Sequence, residues 1–366
     1  MKRIILTALV VMMATGMVFA SGQGEGMLDI GIAMPETHVE RWQRDGAALL
    51  EGAEELGYTA EVTYGDADQG LQNEQIQNFI TKGAQVLIIG NINEGVNSVV
   101  SEAAEEGIIV IAYDRLITGS DAYDYYITFD NFKVGEFQGQ AIEEALDLQN
   151  VDSDDPKYIT LFAGSPTDNN ANFFFDGAMS ILAPHVERGA LEVVGPAPMS
   201  SDDSGFTRIA TENWRAEVAK ARMENLLSND ALDVTLDAVL APNDTLAQAI
   251  IEALSSDSKY DSADTLPVVT GQDAQLSSVQ SIADGEQYMT VFKDTRDLAA
   301  GAVELADALI NGESTPEIDG ARLDTETYDT GRKVVNSYLL EPVNVTQDNW
   351  EEIMVGSGYY SAEDFD

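Results

Sequence analysis

The sequence predicts an α/β protein made of two doubly wound parallel-sheet units side by side, and three observations carry that expectation. Short apolar runs alternate with amphipathic stretches from Leu28 onward, the pattern of helices packed on a parallel sheet. The alternation passes through two successive series, the first closing at Phe129 and the second opening at once with Phe132. The chain also has 366 residues, enough for two domains that each bury a core.

The elements follow in order. Residues 28–34 read as a strand ended by Pro35, and 42–56 as a helix with Ala48, Leu49, Ala53 and Leu56 on one face and Gly57 as its stop. A strand at 60–64 and a helix at 71–82, stopped by Gly83, come next. Residues 86–89 form a buried strand, 96–106 a helix before Gly107, and 108–112 and 125–129 two more strands. In the second series helices are expected at 132–146, 173–182, 216–227, 246–254 and 298–310. Strands are expected at 158–162, 191–194, 238–240, 268–270 and 289–292, then an extended stretch at 334–345.

Met1-Lys2-Arg3, the apolar run from Ile4, and Val18-Phe19-Ala20 before Ser21 have the layout of a secretory signal peptide spanning 1–20, with cleavage expected near Ala20. That points to a secreted chain. With no cysteine, disulfides and thiolate chemistry are ruled out. Against 64 acidic residues stand 19 basic ones, a net charge of −45. Such a surface repels nucleic acid, so none is expected as a partner. The acidic residues read as solvated faces that aid solubility; Asp152, Asp154 and Asp155 lack the glycine-bearing spacing of a calcium loop. His38 and His185 fall in different units, so no metal site is expected.

In open α/β sheets ligands bind beyond the carboxyl ends of the strands. Those ends here read Met34-Pro35, Asn91-Ile92-Asn93, Tyr113-Asp114-Arg115, Gly164-Ser165-Pro166, Pro242-Asn243-Asp244, Gly271-Gln272-Asp273 and Lys293-Asp294. Arg41 and Trp42 open the first helix, and Trp214 precedes a later one. A monosaccharide offers many hydroxyls on a ring with weakly apolar faces, and this set matches it. Asp114 and Asp273 can accept, Arg41, Arg115 and Lys293 can donate, and Asn170 and Asn243 can do both. Trp42, Trp214 or a phenylalanine of the run at 173–175 can stack. Each also has a plainer use: Asp114-Arg115 as a loop salt bridge, Asp273 and Asn170 as helix caps, Trp42 as core. Taken as a set at strand ends, they favour a cleft.

The motifs Glu40-Arg41-Trp42, Ala112 to Ile117, Thr128 to Asn131, Gly164 to Ala171, Ala241 to Asp244, Gly271 to Ala274 and Phe292 to Thr295 occur in this order. In them the chain resembles the ribose-type (type I) periplasmic sugar-binding proteins, in the branch with xylose-binding and multiple-sugar-binding members. The resemblance implies two lobes, 27–130 plus 294–338 and 131–293 plus 339–366, joined by a three-strand hinge near Asp130, Lys293 and Leu339. It places ligand contacts on Arg41, Asp114, Arg115, Asn170, Asn243, Asp273 and Lys293. Trp42 and Trp214 become stacking walls, with Asp168 and Asn169 as neighbours. The implied ligand is xylose or a related aldopentose or aldohexose such as glucose, galactose or arabinose. The implied partners are an ABC permease and a chemoreceptor or sensor kinase, with the chain acting as a monomer and without a cofactor. Replacing Arg115 or Asp273 by alanine is expected to abolish tight binding and spare the fold. A dinucleotide-dependent oxidoreductase would need a Gly-x-Gly-x-x-Gly turn after the first strand, where the chain has Met34-Pro35-Glu36-Thr37-His38.

Overall fold

The computed structural model describes residues 27–228 and 234–365; the expected leader at 1–20 lies outside the described residues. The first part of the chain runs β1 (Ile30–Met34), α1 (Arg41–Glu55), β2 (Ala60–Tyr64), α2 (Gln69–Thr81), β3 (Val86–Ile89), α3 (Asn97–Glu105), β4 (Ile109–Tyr113) and β5 (Tyr125–Phe129). The second continues with α4 (Asn131–Ala145), β6 (Lys157–Leu161), α5 (Asn170–Glu187), β7 (Leu191–Val193), α6 (Phe206–Ile209), α7 (Ala216–Leu227), β8 (Ala238–Leu240), α8 (Asp244–Leu254), β9 (Val268–Val269), α9 (Leu276–Ala283) and β10 (Met289–Phe292). Then come α10 (Thr295–Ile310), β11 (Ala321–Asp324), β12 (Asn336–Leu340) and β13 (Val343–Thr346).

Two main sheets result. The first has seven strands in the order β11-β12-β5-β4-β3-β1-β2, parallel except at the β11 edge. The second has four parallel strands, β7-β6-β8-β9. β1 and β3 are fully buried and nearly all aliphatic, as strands covered on both faces must be. The expected second sheet is corrected in one respect: β10 does not join β7-β6-β8-β9 but pairs antiparallel with β13. β13 is the second half of the C-terminal stretch, which Glu341-Pro342 divides into two strands.

The chain passes between the sheets three times. It leaves the first after β5 and returns through Lys293-Asp294 to α10, which packs on α1 and β5. It leaves again after Leu340, two residues later than the sequence suggested, because Leu339 and Leu340 still pair with Thr128 and Phe129. The outer two crossings are tied together where the Asp130 N–H donates to Leu340 O at 2.9 Å.

Candidate functional site

The carboxyl ends of both sheets face one narrow cleft. Its walls are Val39, Arg41, Trp42, Asp114 and Arg115 on one side and Asp168, Asn170, Phe174, Trp214, Asn243, Gln272, Asp273 and Lys293 on the other.

From the first sheet, Arg41 opens α1 and is fixed from behind. Its Nε donates to Asp45 Oδ2 at 3.0 Å, and the Tyr113 hydroxyl donates to Asp45 Oδ1 at 2.5 Å. Its Nη1 then reaches forward to Asp114 Oδ1 at 2.8 Å. Arg115 is held likewise, with Nη2 on Glu36 Oε1 at 2.7 Å and Nη1 on the Asn91 carbonyl at 3.3 Å. Both guanidinium carbons rest on the Trp42 indole, 5.1 and 5.0 Å from its centre, so this wall is a cation–π stack rather than an isolated ring.

From the second sheet, Gly164 follows β6, and the Trp214 indole lies against its α-carbon so closely that a methyl there would collide with the ring. The indole Nε1 donates to Asp168 Oδ2 at 3.2 Å, and the ring meets Phe174 edge-on at 6.4 Å. Asn243 caps α8 through Oδ1, accepting the Leu246 N–H at 3.1 Å, which leaves its amide nitrogen for the cleft. Lys293 Nζ sits 3.0 Å from Asp273 Oδ1.

The two sides touch through polar groups. Arg115 Nε lies 3.1 Å from Asp168 Oδ2, Arg41 Nη1 lies 3.7 Å from Asp273 Oδ1, and Asn170 Nδ2 donates to the Asp114 carbonyl at 2.6 Å. Among the described residues, Asp273 Oδ1 has Arg41 and Lys293 as neighbours but no well-directed hydrogen bond, and Gln272 Oε1 is buried without a partner. Buried acceptors left in that condition are costly unless something else satisfies them. Asp114, Trp214 and Asp273 all have positive φ, 59°, 54° and 93°. Such strain costs about 1–3 kcal/mol per residue and gathers where side chains must be aimed.

Burial alone would raise the Asp114 carboxyl, but Arg41, Lys293 and Arg115 outweigh it and hold it below the usual range. For Asp168 burial wins over Arg115, and its carboxyl is pushed up. The lining carries three cations (Arg41, Arg115, Lys293) and three acids (Asp114, Asp168, Asp273), so an acidic molecule has a charge-balanced cleft.

The structure therefore brings together nine of the ten residues singled out by sequence, counting them in the lining. Asn169 is the exception. It lines a separate polar cavity with Asn93, Thr118 and Thr167. Successive helical residues point about 100° apart, so Asn170 facing inward turns Asn169 out. The plainer readings of Asp273 and Asn170 do not hold either: neither side chain caps a helix. Asp114 pairs with Arg41 rather than forming a loop bridge with Arg115. Val39 and Gln272 were not singled out, Asp168 only as a neighbour and Phe174 only within its run. No cluster of metal-ligating side chains occurs among the described residues.

A periplasmic binding protein domain model matches residues 30–314. The chain belongs to the periplasmic binding protein family. It is 45% identical to the multiple sugar-binding periplasmic receptor ChvE of Rhizobium radiobacter, over 94% of this chain and 93% of the relative. It is 37% identical to the D-xylose-binding periplasmic protein of Escherichia coli, over 90% of each. An ABC transporter solute-binding protein of Clostridium phytofermentans, solved with bound β-D-glucose, superposes with a TM-score of 0.84 at 39% identity, covering 92% of this chain and 99% of that one. The fold is thus the type I binding-protein fold, and the family is one of solute-binding proteins rather than enzymes. No helix among the described residues is long and apolar enough to cross a membrane.

Proposed function

We propose that this binding protein captures a monosaccharide between its lobes and delivers it to an ABC permease. The observation that carries this is the charge-balanced, buried cleft, whose polar lining comes from both sheets and includes acceptors with no hydrogen-bond partner among the described residues. An anionic ligand would call for surplus cations and a cationic one for surplus carboxylates; a neutral polyhydroxylated ring calls for both in equal measure. Asp114 and Asp273 accept from its hydroxyls, Arg41, Arg115 and Lys293 donate to them, and Asn170 and Asn243 do both. Trp42 and Trp214 flank the ring. Because these groups come from both lobes, bound sugar favours the closed form.

Relatives named for several sugars, for xylose and for glucose support an aldopentose or aldohexose, with D-glucose and D-xylose the first to test. We assign the lobes as 27–130 plus 294–340 and 131–293 plus 341–366, and propose that the chain acts as a monomer after removal of residues 1–20. The test is a thermal-shift screen of pentoses and hexoses. One or a few should raise the melting temperature in proportion to RT ln(1 + [L]/Kd), about 2.7 kcal/mol at a hundredfold excess over Kd. Indifference to the whole panel would sink the proposal.

A further inference from the structure

One buried carboxylate behind the cleft lines none of its walls, yet holds one of them. Asp244 opens α8 and is completely inaccessible to solvent. Its N–H donates to Gln272 O at 3.0 Å, and its Oδ2 accepts the Gln275 N–H at 2.9 Å. These bonds grip the backbone on either side of Asp273 and Ala274, which both have positive φ. Thr290 adds a third grip: its hydroxyl donates to Asp244 at 2.9 Å and accepts the Ala274 N–H at 3.2 Å. Gln287 Nε2 completes the set, donating to Asp244 Oδ1 at 3.0 Å. Gly271 leaves the space for all this, since a methyl there would collide with Asp244 Oδ1 and Gln287 Nε2. From the other side the Tyr360 hydroxyl donates to Ala274 O at 2.9 Å, and the Asp273 N–H to Val291 O at 2.8 Å.

Three donors thus converge on the Asp244 carboxylate, a demand that an acceptor-only group meets and an amide does not. Burial and then the nearby Asp273 push its carboxyl up to about 8, against the three hydrogen bonds that favour the charged form, so the titrations below belong at about pH 9, where the acceptor-only form prevails. We infer that Asp244 is a positioning residue for the ligand, acting without touching the cavity by fixing the left-handed turn that aims the Asp273 carboxylate into it. This rests on Asp273 being a sugar contact, as proposed above.

The test is calorimetric titration of the full chain with D-glucose and D-xylose, in the native protein, Asp244→Asn, Asp273→Asn and the double variant. Asp244→Asn should weaken binding about tenfold while keeping a cooperative melt, and the double variant should bind no more than about twofold worse than Asp273→Asn alone, because the group being aimed is already gone. Native affinity in Asp244→Asn, or a loss repeated in full on the Asp273→Asn background, overturns the positioning role. Should Asp244→Asn not fold, Thr290→Val removes only the hydroxyl between Asp244 and Ala274 and carries the same cycle. Failure of the sugar proposal shows up separately. It would appear as a native protein that binds neither sugar, or as Asp273→Asn binding like the native protein.

Discussion

Arg115 shows how closely binding and stability are joined at single residues. It is wedged between Glu36 at 2.7 Å and Asp168 at 3.1 Å, all three nearly inaccessible to solvent. Arg115→Ala would leave two buried carboxylates without their cation, a loss of about 3–5 kcal/mol. Arg115→Ala is therefore expected to cost stability as well as binding; urea denaturation should show that loss, together with much weaker sugar binding by titration. Removing Asp273 leaves Arg41 with Asp45 and Asp114 but takes from the buried Lys293 its one ion-pair partner among the described residues, so that change too should cost stability as well as binding. The cleft residues legible in the sequence were those whose type is unusual at a strand end, such as Asp114 and Lys293. Gln272 and Val39 carried no such signal. Asp168 stands beside Thr167, Asn169 and Asn170 in an all-polar stretch whose pattern does not mark which side chain faces the cleft, so only the fold singles it out.

Among the elements, β-branched runs closed by turn residues were read to the residue: 60–64, 86–89, 125–129, 238–240 and 289–292 form as expected. Elements with weak patterns were not. β11 is a mostly exposed edge strand reading Ala-Arg-Leu-Asp, and α9 is short and serine-rich. α5 extends past the expected end at Leu182, because Pro184 lies within a helix that tertiary packing carries to Glu187. At the end of β6, glycine is dictated by the indole lying on it. Gly164→Ala should push Trp214 out of the cleft wall, weakening sugar binding about tenfold by loss of stacking area, with a shift in tryptophan emission as the structural readout. Unchanged emission and affinity would show that the indole does not form that wall.

Over the whole molecule, charge is distributed unequally: −45 in all, yet three against three in the cleft. Surface self-repulsion is screened by salt, while a neutral ligand in a balanced cleft is not. Raising NaCl from about 0.01 M to about 1 M, which shortens the screening length from about 30 to about 3 Å, should raise the melting temperature by several degrees and leave sugar affinity nearly constant. A strong salt dependence of affinity would mean the ligand is charged. The threefold passage between sheets also has a consequence for how the molecule comes into being. β12, starting at Asn336, must insert between β5, which ended at Phe129, and the edge strand β11. The first sheet therefore stays incomplete until Leu340 has been synthesised, so neither half can be obtained by cutting the chain once. Pairing strands so far apart in sequence carries a loop-closure cost that slows completion of the sheet.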